Sequence, residues 1–245
     1  MAWLYLDEHL DDAAIKVGAT VTINGADARH AALVARVKTG ERVAVGTGRG
    51  VLGIGPVLVS DPKALSIQVE EVVREDPPRP SLWLAQALAK GGRDELAVQA
   101  ATEIGASGFI PWQAERSIVR WEGQKAEKGL ERWRAIVREA AKQAVRARVP
   151  DVADLASTDR LRRVIGTLLL LDPDAELPLT KVSDEVLASQ RLVLLVGPEG
   201  GVSPAERDLL VQAGALPVRL GDTVLRTSTA GPAALAVLQA LLGRW

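Results

Sequence analysis

The segment Gly197-Pro198-Glu199-Gly200-Gly201-Val202-Ser203-Pro204-Ala205-Glu206 combines features suited to holding a ligand. It follows an apolar run, 192–196, of the kind that forms a buried strand. It ends in Ser203 with Glu206 three residues on and Pro204 at the first helical position, a strongly marked helix start. The glycines between let backbone N–H and C=O groups approach an adenine or a carboxylate with no Cβ in the way. Open α/β sheets place ligands in such strand-end loops, although taken alone the segment also fits a plain strand-to-helix turn. A second segment of the same kind follows, Leu220-Gly221-Asp222-Thr223-Val224-Leu225-Arg226-Thr227-Ser228-Thr229-Ala230, with hydroxyls clustered where first-turn N–H groups lack partners. Two such loops make two walls of one pocket. Arg226, permanently charged, is placed there to meet a carboxylate or a phosphate.

A third feature is cationic. Over 129–148, Leu130, Trp133, Val137, Ala140 or Ala141 and Ala144 recur at helical spacing as a buried stripe, while Arg134, Arg138, Lys142 and Arg146 follow at every fourth residue on another face. Like charges so spaced cost a helix roughly 0.2–0.5 kcal/mol per pair, so they call for acids from elsewhere or for a polyanion. Within 112–148 ten Lys and Arg stand against five Glu, in a chain whose net charge is −1, which fits either a solvated helix face partnered by acids or, more sharply, a surface that receives a polyanion.

Other motifs carry less. Gly48, Gly50 and Gly53 fit G-x-G-x-x-G, but the strand-like run 54–60 follows in place of a helix, so they read as hairpin turns. The phosphate-loop pattern G-x-x-x-x-G-K-[ST] is absent. Without cysteine, and with His9 and His30 as the only histidines, thiolate chemistry, disulfides and His-rich metal sites are excluded. His30 reads as a structural residue.

These residues need elements to position them. A chain of 245 residues supports one large or two unequal domains. The break falls at 75–80, EDPPRP, where three prolines favour extended backbone. Before it, β-rich runs at 20–23, 42–46, 50–60 and 65–73 suggest a small barrel interrupted by a helix near 28–37. After it, apolar runs at 82–87, 108–112, 164–171, 192–197 and 216–220 alternate with helical stretches at 94–104, 129–148, 204–213 and 230–242, the pattern of an α/β domain with a mainly parallel sheet. The acidic start and the absence of a long apolar run predict a soluble cytoplasmic protein with no membrane partner.

Together these segments resemble the bacterial 16S ribosomal RNA uridine N3-methyltransferases of the SPOUT superfamily, over nearly the whole chain. The resemblance is carried by residues 197–203, Leu220-Gly221 and Val224-Leu225-Arg226-Thr227. Support comes from Lys90-Gly91 with Glu95, Glu103-Ile104-Gly105, Glu115-Arg116-Ser117, and Gln143 with Arg146 and Val149-Pro150. It implies a PUA-like RNA-binding β-barrel over 1–76 and an α/β methyltransferase domain with a trefoil knot over 77–245. It implies S-adenosylmethionine (SAM) held by Leu171, Gly197, Pro198, Glu199, Gly200, Gly201, Leu220, Gly221, Leu225, Arg226, Thr227 and Ala230. The RNA, 16S rRNA or the assembled small subunit, would meet Lys90, Arg93, Arg116, Arg138, Arg146 and Arg148, in a homodimer that uses no metal.

Glu199 and Arg226 are the catalytic candidates. Glu199 would act as a base or hold its loop; Arg226 would stabilise a uridine anion or orient the SAM carboxylate. Ser228 stands where the family usually carries Glu in its Arg-Thr-Glu-Thr run, and the usual Asp-Gly is missing from Val45-Gly46-Thr47-Gly48. Ribose 2′-O-methylation and a non-catalytic role in ribosome assembly are the alternatives; intact Gly197, Gly200 and Gly201 argue against the second. Two variants, one single and one double, carry clear expectations. Gly200→Val should fill ligand space, and Arg138→Ala with Arg146→Ala should flatten the salt dependence of RNA binding.

Overall fold

A computed structural model describes residues 3–245. They divide into two compact units: 3–77 with Arg138–Val149, and Pro78–Val137 with Pro150–Trp245.

In the first unit, β1 (Leu4–Leu6), β2 (Thr20–Asn24), β3 (Arg42–Gly46), β4 (Val51–Asp61), β5 (Ala64–Gln68) and β6 (Glu71–Arg74) form one sheet. Its order is β1-β3-β4-β5-β2, with β6 on β4. Period-two burial marks β2, where Val21 and Ile23 are buried while Thr20, Thr22 and Asn24 are exposed. Gly48 and Gly50, both at positive φ, close the β3–β4 hairpin expected from the sequence. The run 65–73 is two strands, β5 and β6, which pair with different parts of β4. The helix expected near 28–37 starts earlier, as α1 (Gly25–His30). It widens into a π-type turn over Ala31–Ala35 and stops where Arg36 takes a left-handed φ of 54°. Tyr5, Val21, Ile23, Ala28, Leu65 and Ile67 belong to the core of this unit.

In the second unit, β7 (Ser81–Ala87), β8 (Gly108–Trp112), β9 (Asp151–Val152), β10 (Thr167–Leu171), β11 (Arg191–Val196) and β12 (Leu216–Val218) pair in the order β12-β10-β11-β7-β8-β9. Every neighbouring pair is parallel. The strands are near-continuous apolar runs because both faces are covered. The helices are α2 (Arg93–Glu103), α3 (Gln124–Gln143), α4 (Thr158–Leu161), α5 (Asp184–Leu187), α6 (Pro204–Gln212) and α7 (Thr227–Leu241). From the adjacent strands β7 and β11 the chain departs in opposite directions, to β8 on one side and to β12 beyond β10 on the other. That reversal opens a crevice at the strand C-termini, where such sheets bind ligands. No helix among the described residues is long and apolar enough to cross a membrane.

The cationic helix departs from its expected span of 129–148. It begins at Gln124 and ends at Gln143, its last residues from Arg138 on belonging to the first unit. The stop is a Schellman motif. Val145 N–H donates to the Lys142 carbonyl and Arg146 N–H to the Ala141 carbonyl, with Val145 at φ 52° in the position usually given to glycine. Leu4, Leu6, Ala44, Leu52 and Ala147 cluster in the core beside partly buried Val145 and Val149, so packing holds a β-branched residue in a conformation it disfavours. The ladder Arg134, Arg138, Lys142, Arg146 therefore breaks before its last member.

Candidate functional site

The first glycine loop leaves the C-terminus of β11 and enters α6. Ser203 Oγ accepts from Glu206 N–H at 3.2 Å and the Glu206 side chain accepts from Ser203 N–H at 3.4 Å, the reciprocal cap read from the sequence. Gly201, at φ 70°, donates its N–H to the Pro198 carbonyl at 2.9 Å and turns the chain. A Cβ on Gly197 would meet Val202 Cγ2 at 2.8 Å.

The second loop runs from β12 to α7. Its anchor is Thr227, whose hydroxyl donates to the Gly197 carbonyl at 2.8 Å and accepts from Gln86 Nε2 at 2.8 Å. Gln86 lies near the end of β7, wholly buried; its Nε2 also donates to the Ala87 carbonyl at 3.1 Å, and its Oε1 is buried without a partner. One hydroxyl thus joins both loops to a third strand end. The sequence reading missed Gln86.

The loops and the end of β10 enclose a cavity of about 570 Å³, within the roughly 300–1,000 Å³ of small-molecule sites. Its apolar wall includes Leu170, Leu171, Val196, Val218, Leu220 and Leu225. Of the residues expected to hold a ligand, Leu171, Gly197, Pro198, Glu199, Gly201, Leu220, Gly221, Leu225, Arg226, Thr227 and Ala230 line it. Gly200 faces elsewhere. Its carbonyl accepts from Arg116 Nη1 at 3.0 Å, and a Cβ there would meet Arg116 Cβ at 3.3 Å, so a side chain at 200 presses on Arg116 before it enters the cavity.

The mouth is charged. Glu199 Oε1 accepts from Arg93 Nη1 at 3.1 Å and from Lys90 backbone N–H at 3.2 Å, which ties the first loop to the turn before α2. Asp172 accepts from Arg207 Nε at 2.6 Å. Arg226 is exposed, lines the cavity and carries a guanidinium with no partner among the described residues.

The other expected cations are arranged differently. Arg116 is exposed beside the first loop. Arg138 donates to Glu8 at 2.7 Å, to Asp27 at 3.1 Å and to the Leu6 carbonyl at 2.9 Å. Burial alone would lower its pKa, yet those two carboxylates raise it above the ordinary value. Burial lowers Arg146 to about 10, still charged at neutral pH. Arg148 donates from Nε and Nη2 to the Glu75 carbonyl at 2.9 and 2.6 Å. The expectation that Arg138 and Arg148 face phosphates meets side chains occupied inside the first unit.

Residues 76–239 match the family model of an RNA methyltransferase domain, and 23–70 match an RNA methyltransferase PUA domain. The chain is 40% identical to ribosomal RNA small subunit methyltransferase E of Mycobacterium tuberculosis, covering 100% of this chain and 94% of that protein. It is 30% identical to the protein of the same name from Bacillus subtilis, covering 91% of each. Among solved structures, the ribosomal RNA small subunit methyltransferase E of Neisseria gonorrhoeae bound to S-adenosyl methionine superposes with a TM-score of 0.86 at 27% identity, covering 98% of both chains.

Proposed function

Because the chain belongs to the RNA methyltransferase family that includes ribosomal RNA small subunit methyltransferase E, we propose that it is a SAM-dependent methyltransferase of small-subunit ribosomal RNA, acting on N3 of a uridine in the decoding region. The observation that carries this reading is the clamp of Thr227 on Gly197 and Gln86, which fixes two backbone-rich loops around a cavity of about 570 Å³. The residues present suit SAM. The apolar wall of Leu171, Leu220 and Leu225 takes a planar ring, the loop backbones at 197–201 and 220–225 offer donors and acceptors to it, and Arg226 is an unpaired cation for a carboxylate or a nearby anion. When bound, SAM supplies a methyl group already activated by its sulfonium.

The work left to the chain is positioning and help with a proton. Uridine N3 carries a proton that passes to solvent water as N3 bonds the methyl group and the sulfonium leaves as a neutral thioether; its loss puts negative charge on the base, and Arg226 stabilises that charge without giving up its own proton. Glu199, held by Arg93 and by the Lys90 N–H, keeps the first loop in place. Lys90, Arg93 and Arg116, grouped around that loop, receive RNA phosphates. The reading extends to a homodimer in the cytoplasm, with the second unit threaded as a trefoil knot around the cofactor.

The test is methyl transfer to small-subunit RNA or to the assembled subunit, followed by nuclease digestion and mass spectrometry. N3-methyluridine is the expected product; a 2′-O-methylated nucleoside would refute the assignment. Arg226→Ala should lower the single-turnover rate at saturating SAM by 100-fold or more (about 2.7 kcal/mol or more). A change confined to SAM affinity would move Arg226 to a purely binding role.

A further inference from the structure

We propose that the first unit contains a second ligand site, a pocket lined by Trp3, Tyr5, His30, Glu139, Lys142 and Gln143 that receives one unstacked nucleobase of the RNA. The inference rests on the RNA substrate proposed above and adds a grip remote in sequence from the loops that hold the cofactor.

The pocket encloses about 230 Å³, below the roughly 300–1,000 Å³ of sites for drug-sized ligands, so its occupant is a single ring system. The chain holds one tyrosine and two histidines; the tyrosine, one histidine and a half-exposed Trp3 gather here. Tyr5 and His30 lie with ring centroids 6.2 Å apart, tilted by 52°. Tyr5 is packed into the core and offers its hydroxyl, while the half-exposed Trp3 offers a ring face of the kind that stacks bases splayed out of a single strand.

Some polar groups in the pocket lack partners among the described residues. Tyr5 Oη and His30 Nδ1 are both buried without a hydrogen bond among the described residues, although Tyr5 is only 1% exposed. Buried polar atoms are nearly always satisfied, so two orphans lining one cavity point to a partner that arrives from outside. Burial, with the nearby charges of Asp27 and Glu41, raises the Tyr5 phenol to about 12, which keeps its proton in place at neutral pH. Gln143, exposed at the rim, has an amide with no hydrogen bond among the described residues, and its donor and acceptor match the edge of a base.

Charge selects against a phosphate. Lys142 is the lysine of the lining, and its ammonium is already shared between Asp27 at 3.0 Å and Glu139 at 3.1 and 3.2 Å. A neutral heterocycle with hydrogen-bonding edges fits the neutralised lining.

Tyr5→Phe and Gln143→Ala test the site on the full-length protein. The first removes only an unbonded hydroxyl, so thermal stability should hold or rise; the second changes an exposed side chain. The probes are a fluorescein-labelled single-stranded RNA decamer of mixed sequence and a set of decamers with one abasic position each. The expected result is that the double variant binds the intact decamer about tenfold more weakly. SAM affinity should stay unchanged, and one abasic position should weaken wild type but not the variant. Wild-type RNA affinity in the double variant would overturn the proposal. So would adenosine or uridine monophosphate competing as tightly as the decamer, since the site would then serve free nucleotides. Methyl transfer is read in the same samples: its absence alongside base-dependent binding would sink the methyltransferase reading and leave the pocket standing.

Discussion

Thr227 concentrates the integrity of the cofactor cavity in one hydroxyl. Thr227→Val preserves shape but leaves the Gly197 carbonyl without its donor and one of the two Gln86 Nε2 hydrogens without an acceptor, the other staying on the Ala87 carbonyl. Each buried group left unsatisfied costs about 1–3 kcal/mol, so SAM affinity measured by calorimetry should weaken at least tenfold, with a lower thermal midpoint. The glycines separate by direction. Gly201 sits at φ 70° and lines the cavity, so Gly201→Val adds about 1–2 kcal/mol of left-handed strain and should abolish measurable SAM binding. Gly200→Val pushes on Arg116 and should keep SAM affinity within about threefold while weakening RNA; equal loss from both variants would show that Gly200 also touches the ligand. The cap of Ser203 and Glu206 is legible in sequence because it is local. Gln86 is not, because one glutamine in an apolar strand gives no sign that it reaches a threonine 141 residues away.

Among the elements, the end of α3 with α1 and β1 forms an ionic joint centred on Asp27. Its carboxylate accepts from Leu6 N–H at 2.7 Å, from Arg138 at 3.1 Å and from Lys142 at 3.0 Å. Burial raises its pKa, but the bond from Leu6 N–H and those from Arg138 and Lys142 outweigh this and leave it below the ordinary carboxylate value. A depressed pKa means that the unfolded chain takes up the proton first. The stabilisation is therefore complete above the unfolded value of about 3.9 and is lost as pH falls through the lower folded value. Asp27→Asn should cost about 3–5 kcal/mol at neutral pH and remove that acid-side loss, as followed by urea melts at several pH values. Arg138→Ala should likewise lower stability, whereas Arg116→Ala should reduce the slope of log affinity against log salt by about 1. An unchanged slope in Arg116→Ala with a flattened one in Arg138→Ala would reinstate the helix ladder as the phosphate surface. Helical periodicity predicted the buried Trp133 and Val137 of α3. It did not predict the stop, because a left-handed Val145 is fixed by packing against its own propensity.

On the scale of the whole chain, alternation of strands and helices after the proline-rich segment made the parallel sheet legible, since period and apolar runs are written locally. The strand order and the return of Arg138–Val149 to the first unit are set by contacts distant in sequence, which no local pattern records. That return has a consequence for how the protein is made. When residue 77 has left the ribosome, the strands of the first unit are all present, but Arg138, Lys142 and Ala147 are not. Asp27 then lacks its cationic partners and the Leu4–Leu52 cluster lacks its lid until about seventy more residues are added, several seconds at about 5–20 residues per second. A released 1–77 fragment should accordingly show no cooperative melt by circular dichroism, and stalled chains should gain protease resistance only after residue 149 emerges. The first third of the sequence is thus translated first but completed late.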